Sequence, residues 1–160
     1  MKIAGLFKLS LFDKFGNLKD KWEQHNGITV EGKNHILDVQ FDSETQITSW
    51  YLGLIDNASY TGVDEDDVMA SHAGWIEFVD YSEGTREVWA PASASDKIML
   101  TDTAAEYTIT ADGTLKGVFV VSNNAKSGAT GTLWSTAIFS SNKVVENGDT
   151  LKVEYELEIS

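Results

Sequence analysis

"TLKVEYELEIS", residues 150–160, alternates without a break: Leu151, Val153, Tyr155, Leu157 and Ile159 fall on one side, Lys152, Glu154, Glu156 and Glu158 on the other. A period of two, with β-branched and aromatic residues on the apolar side, is the pattern of a half-buried strand whose charged face meets solvent. Immediately before it, "ENGD" (146–149) carries an Asn-Gly turn signal, and "GTLWSTAIFSSNKVV" (131–145) reads as another strand. The end of the chain is therefore a hairpin or a return from one sheet to another.

Outward from this stretch the same signature recurs in "LFKLSLF" (6–12), "NLKDKWEQ" (17–24), "ITSWYLGLI" (47–55), "GWIEFV" (74–79), "REVWA" (86–90), "DKIMLT" (96–101), "EYTIT" (106–110) and "TLKGVFVVS" (114–122). Turn-forming clusters such as "DKFGN", "SEGT", "TADGT" and "NNAKSGATG" separate them. Short strands at this spacing predict an all-β chain with minor α content, an antiparallel sandwich or barrel. Residues 47–55 and 114–122 are apolar on both faces, so they are either central or covered by a second layer, which in an assembling protein another subunit can supply. One helix is expected near residues 30–41, with Thr29 as N-cap and Ile36, Leu37, Gln40 and Phe41 as its apolar stripe. Nothing marks a domain boundary, so residues 1–160 read as a single β-sandwich domain, with an N-terminal hairpin (about 1–25) that packs as an arm.

Composition narrows the function classes. The net charge is −13, which argues against electrostatic binding to nucleic acid or an anionic membrane. The charge is unevenly placed: residues 1–33 hold six lysines against four carboxylates, net +2, and the remainder six basic against 21 acidic side chains, net −15. There is no cysteine, which removes thiolate chemistry, disulfides and cysteine-ligated metals together. The opening "MKIAGLFKLSLFDKFG" is broken by Lys8, Asp13 and Lys14, so it is expected to be neither a signal peptide nor a membrane span.

The stretch "VDEDDVMASHAGW" (63–75) sets Asp64, Glu65, Asp66 and Asp67 close to His72. A calcium loop of the EF-hand type needs glycine at its sixth position and a carboxylate at its twelfth, where Met69 and Trp75 stand. Adjacent acids in a loop are expected to be hydrated, and no nucleophile or zinc motif accompanies His72. Residues 61–73 therefore read as an acidic loop leading into a strand anchored by Trp75, and the chain as non-enzymatic, with no cofactor and no metal. The rings of Tyr60, Trp75, Tyr81 and Trp89 could form a sugar-stacking platform, yet Trp50, Trp75 and Trp134 sit within apolar strand patterns and belong to a core. Trp22 and Trp89, flanked by charges or by Pro91, are the better candidates for exposure, in a ligand groove or at a subunit contact.

"NGITVEGKNHIL" (26–37), "WYLGLI" (50–55), "VMASHAGWIEF" (68–78), "TLKGVFVVS" (114–122) and the ending "GTLWSTAIFSS" with "VVENGDTLKVEYELEI" (131–159) resemble, in order, a group of structural proteins from tailed bacteriophage particles. The acidic stretch 64–67 has no counterpart in that group. The resemblance implies a jelly-roll-like sandwich that forms dimers or trimers and decorates or cements the outer capsid surface of a virion assembled in the host cytoplasm, with the major capsid protein as partner. Under that reading Lys2, Lys8, Lys14, Lys19 and Lys21, with Trp22 and Trp89, form the capsid or subunit interface. The competing reading is a receptor- or carbohydrate-binding sandwich module of a tail fibre or spike.

Overall fold

The computed structural model describes residues 2–160. In chain order the elements are β1 (Ile3–Phe12), β2 (Leu18–His25), β3 (Gly27–Ile28), α1 (Val30–Phe41), β4 (Trp50–Asp56), β5 (Glu77–Phe78), β6 (Glu87–Pro91), β7 (Ile98–Met99), β8 (Thr101–Thr103), β9 (Ala105–Thr108), β10 (Gly113–Val121), β11 (Leu133–Val145) and β12 (Thr150–Ile159). They form two antiparallel sheets packed together, with one helix. Sheet A runs β2-β1-β12, with β9 and β7 sharing the far edge of β12. Sheet B runs β3-β11-β10-β4-β6-β8, with β5 also on β4.

The alternation in residues 150–160 is used as its spacing demands. Leu151, Val153 and Tyr155 point inward beside Phe7, Leu9 and Leu11 of β1, its partner over ten register pairs. Leu52, Leu54, Val118, Val120, Trp134 and Phe139 meet them from sheet B. Of the two alternatives open for the chain end, the sheet-to-sheet return is the one formed, since β11 lies in sheet B and β12 in sheet A. Gly148, at φ +93, supplies the left-handed step, and Asp149 closes the turn by accepting from the Glu146 backbone N–H at 2.9 Å.

The N-terminal strands β1 and β2 are integrated into sheet A instead of standing off as an arm. β1 lies between β2 and β12, and its three inward side chains are among the most buried in the molecule. The expected strand 96–101 is instead two short strands, β7 and β8, in different sheets, and β3 carried too few residues to show a period. Among the described residues no helix is long and apolar enough to cross a membrane.

The helix forms where expected, with Thr29 Oγ1 accepting from the Gly32 N–H at 3.0 Å, but its orientation differs from the expected one. Its buried residues are Gly32 and His35, while Leu37 and Phe41 are 51% and 80% exposed. Polar anchors set the rotation: Thr29 N–H donates to the Trp134 carbonyl and Glu31 Oε2 accepts from the Leu133 N–H at 2.7 Å. These draw the backbone so close to β11 that a Cβ on Gly32 would lie 2.6 Å from the Trp134 carbonyl oxygen. The apolar stripe is thereby split, with Ile36 against the core and Leu37 and Phe41 facing out.

Candidate functional site

Three surfaces bear on function, and the acidic loop separates one from the others. The outer face of sheet B carries a second apolar cluster of Ile55, Phe119, Val121 and Leu133, covered by Met69 and Trp75 from the loop between β4 and β5. The layer over the doubly apolar strands thus comes from the chain itself. Asp67, expected to be hydrated, is buried: its Oδ2 accepts from Trp75 Nε1 and from the Asp64 N–H, both at 3.0 Å. His72 stacks on Trp75 at 3.9 Å and places Nδ1 3.0 Å from the Trp75 carbonyl oxygen. Asp67 and His72 clasp the indole ring, and among the described residues no group of His, Asp and Glu is arranged to hold a metal. Asp67→Ala leaves a buried indole N–H without its acceptor and is expected to cost about 1–3 kcal/mol. Chemical denaturation with and without added calcium checks this; the loss should be the same in both.

Of the lysines expected to act together, Lys8 and Lys21 share the outer face of sheet A, and the five do not form one patch. Lys2 and Lys14 flank opposite ends of β1, a ten-residue strand of roughly 30 Å. Lys8 projects from the outer face of sheet A and bonds Glu156 at 2.9 Å, a contact that raises its pKa. Lys19 reaches Asp149 and Glu146, each at 2.7 Å, and is likewise raised by these bonds, Asp149 first. Lys14 and Lys21 enter no ion pair among the described residues. Strand register sets Lys21 opposite Ser10 and Ser10 opposite Lys152, a row across three strands of the outer face.

The tryptophans divide differently from expectation. Trp89 is only 6% exposed, in the main core, with Nε1 donating to Thr101 Oγ1 and to the Tyr155 carbonyl. Pro91 ends its strand without exposing the ring. Trp22 is half-buried, edge-on to Phe139 at 5.3 Å with Lys143 Nζ 4.5 Å over its ring. Lys143 also bonds Asp20 at 2.8 Å, which holds that carboxyl below its usual pKa. Trp75 and Tyr81 are buried as well, so these rings make no exposed stacking platform.

The third surface surrounds α1. On one side lies an open groove of about 820 Å³ whose apolar lining includes Ile3, Ile28, Ile36, Leu37 and Val63, with Lys2 and Asp64 also along it. On the other is a smaller concavity of about 390 Å³ with Glu31, Asp38, Glu44 and Asp66 around it, and His35. Glu31 accepts from the Leu133 N–H and Glu44 lies 3.1 Å from His35 Nδ1, which leaves Asp38 and Asp66 as the acids of this concavity whose carboxylates meet no partner among the described residues. At the far end of β1, the β1–β2 turn exposes Phe15 by 79%, beside Leu18 and with Lys14 Nζ 5.3 Å from the Phe15 ring. The chain matches no protein-family model and no curated protein.

Proposed function

We propose that the chain is a non-enzymatic structural protein of a tailed bacteriophage virion, binding the outside of the capsid shell and stabilising it. The observation that carries the reading is that sheet B is covered on both faces by its own chain, which leaves the outer face of sheet A as the broad open sheet surface. That face presents Lys8 and the row Lys21, Ser10, Lys152 against the carboxylates of β12, a mixed-charge surface suited to orienting a partner. The net charge of −13 opposes non-specific aggregation of unattached copies.

Lys21→Glu combined with Lys8→Gln is expected to weaken attachment to undecorated shells several-fold at low ionic strength, since rim charges act mainly through steering and salt screens them. Shell occupancy by quantitative gel measures it; unchanged occupancy at low salt removes the reading. Added protein should also raise the temperature at which shells rupture. Low copy number with a positive glycan array would instead favour the tail-fibre module.

A further inference from the structure

We propose that the chain associates head to tail with itself, the β1–β2 turn of one copy seating against helix α1 of the next. Two uncovered surfaces of matching chemistry stand at opposite ends of β1. The turn offers a bulky apolar group and an unpaired cation, Phe15 and Lys14. The other acids and cations around it are engaged. Asp13 Oδ1 accepts from the backbone N–H of Phe15 at 2.8 Å and of Asn17 at 2.9 Å, and Lys19 is held by Glu146 and Asp149. Helix α1 offers the complement: Leu37 and Phe41 stand four residues apart on one exposed stripe, and Asp38, three residues before Phe41, opens to the acidic concavity with Asp66. Lysine against these two acids and phenylalanine against Leu37 and Phe41 satisfy both ends at once. Of the cations near the helix, Lys33 is occupied by Glu65 at 3.1 Å, while Lys2 shares the apolar groove with Leu37 and so stands beside the apolar half of the contact, away from Asp38 and Asp66 where the incoming lysine seats.

Because a whole strand separates turn and helix, one copy cannot satisfy itself, and each contact leaves a free turn and a free helix. Such a heterologous contact closes as a small ring or continues as a filament. The proposal stands independently of the capsid reading, as it concerns the protein alone.

Sedimentation velocity over a concentration series tests it. Wild type should associate as concentration rises. Lys14→Glu with Phe15→Ala should remove the turn's contribution, and Leu37→Glu the helix's, each shifting half-association to at least about tenfold higher concentration. All three positions are exposed, and circular dichroism verifies that the variants fold. Mixed in equal amounts, the two variants keep one intact turn and one intact helix between them, so they should form a dimer that grows no further. A wild type that stays monomeric throughout overturns the proposal. So does association that both variants leave unchanged, or a mixture that fails to dimerise, which would indicate turn-to-turn or helix-to-helix pairing.

Discussion

Arg86→Met is expected to lower the unfolding free energy by about 3–5 kcal/mol, because it strands a buried carboxylate. The Arg86 side chain has no exposed surface and that of Glu77 is 6% exposed. Their contact is bidentate, Nε to Oε1 at 2.9 Å and an Nη to Oε2 at 2.8 Å, the geometry that a guanidinium makes and an ammonium cannot. The pair does more than neutralise itself. Arg86 also donates to the carbonyls of Asn123 at 2.9 Å and Gly128 at 3.1 Å, and Glu77 Oε2 accepts from the Ser127 N–H at 2.7 Å, so the ion pair holds the β10–β11 loop against sheet B. In many proteins a buried pair can be replaced by apolar residues at no loss. Here Glu77→Leu with Arg86→Met would still leave two part-buried carbonyls without their donor and release the Ser127 N–H to water, and should recover only part of the deficit. Urea unfolding of both variants decides it: full recovery in the double variant would show that the loop bonds contribute nothing.

Arg86 is the only arginine in the chain, and that rarity was its one sequence signal, since a group kept charged inside a fold is best served by a planar fork. Its partners lie nine to 42 residues away and none has a spacing that announces it. By contrast, β1 and β12 were legible because their periods reflect burial by one opposing sheet, a force acting on every second residue alike, and β10 because its unbroken apolar run reflects cover on both faces. The cap of α1 was legible for the same local reason, while its rotation was not: Leu37 and Phe41 read as a core stripe, and the bonds from Thr29 and Glu31 to β11, more than 100 residues away, overruled them. Lysine positions were readable and their freedom was not, because the partners of Lys8 and Lys19, Glu156 and Asp149, come from the other end of the chain. The exposed Phe15 gave no warning either, since one aromatic in a turn has no period to violate.

Trp75→Ala is expected to cost about 3–5 kcal/mol and, unlike the arginine variant, to change the surface of the molecule as well as its stability. The indole is 2% exposed, lies 5.0 Å from Phe119 between ring centroids, and roofs Ile55, Val121 and Leu133. Truncation removes that roof and leaves the Asp67 carboxylate without its indole donor, while the Asp64 N–H at 3.0 Å remains. The two losses share one contact, so they should not add. Asp67→Ala made in the Trp75→Ala background should cost less than the same change in wild type, and a double-mutant cycle reads the difference. Binding of a hydrophobic dye should rise in Trp75→Ala under conditions where circular dichroism still reports a folded sheet. Sedimentation should show indiscriminate aggregation that neither Lys14→Glu nor Leu37→Glu suppresses, because it would proceed through the unroofed face of sheet B. A loss below about 1 kcal/mol with no added dye binding would mean that the loop lies over the sheet without sealing it. In that event the doubly apolar strands would need an external cover, and the outer face of sheet B would replace that of sheet A as the surface a shell or a neighbouring copy has to meet.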